Sequence, residues 1–175
     1  MPQNDQNDCK LNPKAPAALS QFAFLLGDWR FDAKFKSPEG ASQSFRGTWI
    51  GRLILDGHVI EDEYRMLDSN DEVIVHGMNF RVYDAAKQFW NIKWLNAREG
   101  TWMDLTSREF GGTLVDDRSI SYIFREPMGA SGGWTQPYTR ATYTDVSPTV
   151  FTWRGDKSDD RKTWTQFMLV ECHRM

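Results

Sequence analysis

The segment GDWRFDAKF, residues 27–35, decides the fold class of this chain. Its large apolar side chains Trp29, Phe31 and Phe35 alternate with charged ones. A period of two places alternate side chains on opposite faces of an extended strand. The segment is therefore predicted to be a β-strand with one buried face.

A short helix is predicted just before this strand. In residues 15–26 the apolar side chains Leu19, Phe22 and Leu25 recur every three residues, a spacing typical of one helical face. Gly27 is a common residue after the last helical turn.

The remainder of the chain alternates between apolar and polar residues and turns at short intervals. Asp56-Gly57 is a strong hairpin signal, because a tight type I′ turn needs positive φ, and residues 37–40 form another turn cluster. About ten short strands indicate an antiparallel sandwich or barrel, and successive hairpins of this number close most simply as a barrel. We predict an all-β fold: a closed antiparallel up-and-down barrel at residues 15–175, after a flexible tail at residues 1–14.

Composition excludes several classes of function. Hydrophobic residues make up 40% of the 175 and charged residues 26%, which is the balance of one globular domain. The net charge is -3 and no dense Lys/Arg run occurs, so we expect no nucleic-acid partner. No apolar stretch approaches the roughly 20 residues of a membrane span, so we expect no membrane partner.

Cysteine and histidine positions suggest neither a disulfide framework nor a metal site. Cys9 and Cys172 lie near opposite ends of the chain, and the polar N-terminus lacks the pattern of a signal peptide. We expect two free thiols and a cytoplasmic location. His58, His76 and His173 show no zinc-type spacing, so no metal and no cofactor is expected.

Two short motifs carry a resemblance to a known family. FAFLLGDWRF at residues 22–31 resembles the Gly-x-Trp start of lipocalin-type (calycin) barrels, in which the Trp closes one end and packs against an Arg of the last strand. This resemblance implies a contact between Trp29 and Arg174. With LDGHVIEDEYR at residues 55–65, residues 22–94 also resemble an uncharacterised bacterial lipocalin-like family, which implies a fold and no particular function.

Nitrobindin-like haem proteins begin in a similar way and take a His ligand from the C-terminal end of the chain, where His173 lies here. The second, glycine-rich part of their opening motif is absent from this sequence, which makes haem a minor alternative.

One group of candidate site residues begins with Glu61 and Glu63, which share a strand face roughly 6.5–7 Å apart. If the hairpins pair without bulges, this face continues through Asn79, Arg81, Trp90 and Trp94. Arg81 could neutralise one acid and leave the other with a raised pKa, suited to proton transfer. The alternative is a solvated outer face on which these charges pair across strands.

The opposite face is more apolar and competes for the interior. It carries Asp62, Tyr64 and His76 among hydrophobic residues, and a His beside a Tyr or Asp could act as an acid or base. A one-residue slip would exchange the two faces. Trp102 begins a strand and could stack on a flat ligand at a barrel mouth, although a core position is the alternative.

Three functions remain open at this point. The first is a barrel that binds a small apolar or aromatic ligand with one polar end. The second is a cofactor-independent isomerase, cyclase or hydratase that uses Glu61, Glu63 or His76. The third is a structural or interaction protein with a filled barrel, which an interior below roughly 300 Å³ would favour. A homodimer is a possible assembly.

Overall fold

A computed structural model describes residues 11–37, 39–125 and 137–175. A 3₁₀ helix at Ala17–Leu25 precedes the strands, so the predicted short helix and the all-β class are confirmed. The described strands are β1 (Gly27–Lys36), β2 (Ser42–Ile54), β3 (Val59–Leu67), β4 (Val73–Asp84), β5 (Phe89–Asn96), β6 (Thr101–Asp104), β7 (Thr113–Val115), β8 (Ile120–Phe124), β9 (Tyr138–Thr144), β10 (Val150–Ser158) and β11 (Thr165–Arg174).

Two predicted features fall partly outside the described residues. Cys9 and most of the predicted tail are not among them, and neither is Pro38 of the turn at residues 37–40. Within the described part of that tail, Asn12 donates a hydrogen bond to the backbone oxygen of Asp56 at 2.6 Å.

All eleven strands belong to one antiparallel sheet in the order β6-β5-β4-β3-β2-β1-β11-β10-β9-β8-β7. Pairing of β1 with β11 joins the two ends of the chain, so the sheet curls around a common core. In the described ranges β6 and β7 do not pair with each other. The prediction of a closed barrel of about ten strands is therefore wrong in closure and in number.

The open seam has a local cause. β6 and β7 have four and three residues, and the chain between them turns away after Leu105, whose N–H still bonds to Ile92 O at 2.8 Å. Leu105 and Phe110 of this connection are buried. The connection therefore contributes buried side chains, and no ladder forms between the described strands β6 and β7.

The 3₁₀ helix and Trp29 fill one end of the curled sheet. Trp29 is fully buried, and its indole Nε1 donates to Leu25 O at 3.1 Å. The guanidinium of Arg174 lies 4.0 Å from the centre of the Trp29 ring and donates to Leu26 O at 2.9 Å. The contact implied by the resemblance is confirmed, and it ties the first strand to the last.

A β-bulge between β3 and β4 decides which side chains face inward. Met66 pairs with Val75, but Leu67 pairs with Val73, so Ile74 is an extra residue on β4. From Met66 back to Ile60, each residue of β3 therefore pairs one position further along β4 than it would in a hairpin without a bulge.

Because of this shift, residues that the sequence pattern places on opposite faces of the sheet lie together on one face. Asp62 is paired with Asn79 and Ile60 with Arg81, and all four are buried. The inner face therefore carries Asp62 and Tyr64 from β3 together with Asn79 and Arg81 from β4.

In the part of the chain that the structure describes, no helix is long and apolar enough to cross a bilayer.

Candidate ligand-binding site

A cavity of about 220 Å³ lies inside the curled sheet. Its walls are almost wholly apolar and aromatic, drawn from β2 to β6 and from β8 to β11, together with Leu105 of the seam. The lining comprises Trp49, Tyr64, Met66, Val75, Asn79, Trp94, Met103, Leu105, Tyr122, Phe124, Ala141, Tyr143, Trp153 and Met168.

Gly77 makes room for one of these walls. It lies beside Tyr64 on β3 and Asn96 on β5, and the indole of Trp94 crosses its Cα. A Cβ atom at Gly77 would meet Trp94 Cζ2 at 2.2 Å and Leu95 O at 2.3 Å. Any larger residue at position 77 would displace the Trp94 ring from the cavity wall.

A buried polar cluster adjoins the cavity, centred on Asp62. Asp62 Oδ1 accepts hydrogen bonds from Trp49 Nε1 at 2.7 Å and Asn79 Nδ2 at 2.8 Å. Arg81 Nη1 lies 3.1 Å from Asp62 Oδ2, which is ion-pair distance, although these two atoms are not aligned as a hydrogen bond. Asp62 and Arg81 are both fully buried, so each charge depends on the other for compensation.

A short chain of hydroxyl groups runs from this pair to the cavity. Arg81 Nη2 donates to the Tyr143 hydroxyl at 2.9 Å, and that hydroxyl lies 3.3 Å from the hydroxyl of Tyr122. Both tyrosines line the cavity. The guanidinium therefore reaches the cavity only through the Tyr143 hydroxyl.

Burial dominates the titration of these groups. Desolvation raises the pKa of Asp62, against the lowering effect of the Arg81 charge and of hydrogen bonds from Asn79 and Trp49. For Arg81, burial works to lower the pKa, but the charge of Asp62 raises it above its ordinary value. Burial also raises the pKa of Tyr122 and Tyr143, so both hydroxyl groups keep their protons at neutral pH.

The cluster has unpaired polar atoms. Asn79 Oδ1, Asp62 Oδ2 and Arg81 Nε are buried and have no hydrogen-bond partner. Such groups are rare in native proteins and cost stability. Of these three residues, only Asn79 lines the cavity.

The structure brings some of the predicted site residues together. Tyr64, Asn79 and Trp94 line the cavity, and Arg81 lies behind it. Trp90 is buried at the end covered by the 3₁₀ helix, where its Nε1 donates to Gln21 Oε1 at 2.8 Å. Trp90 therefore contributes to the closed end of the core and not to the cavity wall.

The three candidate catalytic residues lie elsewhere. Glu61, Glu63 and His76 are only partly buried and sit on the strand face opposite the cavity, so the prediction that the two glutamates share an inner face with Arg81 is wrong. Glu63 Oε1 lies 2.7 Å from His76 Nε2, which makes a cross-strand pair on the outer face.

Two more candidates also face outward. Trp102 is 55% exposed and packs against Phe80, with ring centres 5.8 Å apart. His173 is exposed on β11, and the described residues that line the cavity include no His or Cys, so none of them could be a histidine ligand for haem. The described residues contain no cluster of three or more His, Cys, Asp or Glu that could hold a metal ion.

Several lining residues were not found by sequence reasoning, notably Trp49, Tyr122 and Tyr143. β9 has the residues Tyr138–Thr144, in which Thr139, Ala141 and Tyr143 alternate on the buried face. That alternation was a usable signal for Tyr143. Its contact with Arg81 joins residues 62 positions apart, and no local pattern reports such a contact.

Fold and cavity together define a class: a curled antiparallel β-sheet protein with an internal, mainly apolar pocket. Comparisons with known proteins agree at the level of fold. No family model matches the chain, and no curated protein matches it.

Among solved structures, Rv2717c from M. tuberculosis is similar, with a TM-score of 0.61 and 11% identity over 95% of this chain and 99% of that chain. A redesigned β barrel, mFAP1, bound to DFHBI gives a TM-score of 0.42 and 14% identity over 86% of this chain and 95% of that chain. A fluorescence-activating β barrel of de novo design gives 0.40 and 15% over 86% and 93%. The likeness to Rv2717c concerns the fold alone, and the two designed barrels are too distant to say anything further about this chain.

Proposed function

We propose that this protein binds a compact apolar or aromatic molecule in the internal cavity. The observation that carries the proposal is the cavity itself, about 220 Å³ and lined mainly by Trp, Tyr, Met and Phe side chains. A molecule bound in a cavity of this kind supplies contacts to the lining atoms. Apolar cavities of about 150 Å³ bind benzene-sized molecules, so this cavity has room for one or two rings.

The volume limits the size of the ligand. Pockets for drug-sized ligands usually enclose about 300–1,000 Å³, and this cavity is smaller. The proposed ligand is therefore smaller than those of many β-barrel binding proteins, and flat rings suit walls built from Trp49, Trp94 and Trp153.

Binding has more support than the enzyme alternative. Among the described residues, the cavity lining contains no Asp, Glu or His, and the buried carboxyl group of Asp62 is turned toward Arg81 and Asn79. General acid–base catalysis needs a titratable group within hydrogen-bond reach of the reacting atom. The cavity is smaller than the roughly 300 Å³ below which a filled barrel is favoured, so binding is proposed over this third alternative only for a ligand of one or two rings.

A matched pair of variants on β4 tests the proposal. Val75 lines the cavity, whereas Val82 is 39% exposed on the opposite face of the same strand. We expect naphthalene to bind the wild-type protein with a Kd of roughly 10 μM to 1 mM, as the affinity per atom of small ligands allows. Val75→Phe should fill the cavity and weaken binding at least about tenfold, and Val82→Phe should leave it unchanged.

Isothermal titration calorimetry measures the three affinities, and thermal denaturation checks that each variant is folded. Absence of any heat of binding with the folded wild-type protein, or equal binding by the two variants, would contradict the proposed cavity.

A further inference from the structure

We infer that the ligand carries an N–H or O–H donor on its ring and that this group bonds to the side-chain oxygen of Asn79. The inference rests on the proposed function and specifies its ligand class. It follows from how the amide of Asn79 is oriented and from which polar atoms at the wall already have partners.

The orientation of the Asn79 amide is set by Asp62. Asp62 Oδ1 accepts from Trp49 Nε1 at 2.7 Å, and an indole nitrogen can only donate. The same oxygen is therefore an acceptor toward Asn79, at 2.8 Å. The NH₂ group of Asn79 must face Asp62, so its oxygen is directed away from that carboxyl group.

Asn79 Oδ1 is the unpaired acceptor of a residue that lines the cavity. The side chain is more than nine-tenths buried, and Oδ1 has no hydrogen-bond partner. A buried acceptor without a donor is costly. A ligand donor entering the cavity would complete the bonding of this oxygen.

The tyrosine hydroxyl groups at the wall have contacts of their own. The Tyr64 hydroxyl donates to Met66 Sδ at 3.4 Å, and the hydroxyls of Tyr122 and Tyr143 contact each other. Arg81 also donates to the Tyr143 hydroxyl. The contact between the two tyrosines uses one of their two hydroxyl hydrogens, so the other hydroxyl hydrogen has no acceptor among these groups. A ring face or a ligand hydroxyl oxygen can accept that hydrogen. Indoles and phenols therefore match both the Asn79 acceptor and this hydroxyl donor.

Indole and indene test this inference, because they share one bicyclic shape and only indole has an N–H. In a cavity without a free acceptor, indene binds more tightly, since the N–H of indole would lose its bond to water. With Asn79 as the acceptor, we expect indole to bind wild-type protein at least about fivefold more tightly than indene. Calorimetric titration of both probes gives this ratio without any variant.

Asn79→Leu provides the second arm and should reverse the preference in favour of indene, whereas Val82→Phe on the outer face should preserve it. If Asn79→Leu does not fold, the ratio of indole to indene affinity of the wild-type protein still tests the inference. Equal binding, or tighter binding of indene, overturns the inference while the proposed function stands. If neither probe binds, both are overturned.

Discussion

The buried pair of Asp62 and Arg81 shows how much depends on single residues in this core. Both side chains are fully buried, and Arg81 is the positive charge beside the Asp62 carboxyl group. Replacing both members of such a pair is often tolerated, but removing one leaves a charge without compensation. The cluster is therefore more sensitive to single than to paired substitution.

Arg81→Met should lower the free energy of unfolding by about 3–5 kcal/mol at neutral pH, because it leaves Asp62 as an uncompensated buried carboxylate. The double variant with Asp62→Asn should recover part of this loss, since a neutral amide keeps an acceptor for Trp49. Urea denaturation of the wild type and both variants measures the effect. A single variant within about 1 kcal/mol of the wild type would show that the pair contributes little.

The same variant has a defined pH dependence. Burial already raises the pKa of Asp62, and loss of the Arg81 charge raises it further. A carboxyl group with a raised folded-state pKa contributes stability that is present below the ordinary aspartate pKa and is lost as the pH rises. The deficit of Arg81→Met should therefore be smaller near about pH 4.5 than near about pH 7.5, and a deficit independent of pH would contradict this assignment.

Single polar residues were predicted by alternation along neighbouring strands. Asn79 and Arg81 were placed on an inner face in this way, and both are buried beside or behind the cavity. Glu61 and Glu63 carry the same kind of signal but lie outside. The difference lies in the pairing register of β3 with β4, which decides which residues face inward. Individual residue types do not reveal this register.

Among the elements, the β3–β4 hairpin explains that error. Its bulge places the extra residue Ile74 within the apolar run Val73–Val75. Three apolar residues in succession show no alternation, so the sequence gives no sign of where the extra residue lies. The bulge brings Asp62 into line with Asn79, and the polar cluster depends on it.

The seam between β6 and β7 was unpredictable for a related reason. Regular hairpin spacing predicts about ten strands where eleven are described, and the ladder that would close the barrel is the one between β6 and β7, since β1 does pair with β11. Here β6 and β7 are too short to form that ladder, and buried Leu105 and Phe110 lie in the connection instead.

Gly77→Ala tests the contact between β4 and β5 that shapes the cavity. The added Cβ would collide with Trp94 and with Leu95 O, so we expect a loss of about 1–3 kcal/mol from overpacking and weaker naphthalene binding. Trp94→Leu removes the ring, so the double variant should lose less than the sum of the two single losses. Denaturant melts of all four proteins provide the cycle, and strict additivity would mean that Gly77 and Trp94 do not interact.

On the scale of the whole molecule, the structure assigns contacts to the interior side chains more fully than it assigns a role to the outer face of the sheet. Trp102 and Val82 are exposed apolar side chains on the outer face of the sheet, and Trp102 packs against Phe80. The possible homodimer stays a prediction, as does the division into a tail and one domain. By contrast, the interior contains many contacts between aromatic side chains. The hydroxyl and thiol groups of its buried Tyr and Cys residues are shielded from water.

This shielding makes stability sensitive to high pH. Burial raises the pKa of three of the five tyrosines, Tyr64, Tyr122 and Tyr143, and also that of the Cys172 thiol. The folded protein therefore holds protons that the unfolded chain releases near the ordinary pKa values of about 8.5 for Cys and 10 for Tyr. Their contribution to stability is complete below those values and is lost as the pH rises above them.

We therefore expect the urea midpoint to fall steeply above roughly pH 9–10, with tyrosinate absorbance at about 295 nm from the buried tyrosines appearing together with loss of near-ultraviolet circular dichroism. Tyr64→Phe serves as the matched variant, because it removes one buried hydroxyl whose described hydrogen bond is to Met66 Sδ. Its stability should decline less steeply with pH than that of the wild type, since one fewer proton is released on unfolding. Complete ionisation of all tyrosines while the circular dichroism remains native would show that these hydroxyl groups are accessible to water and would contradict the buried cluster.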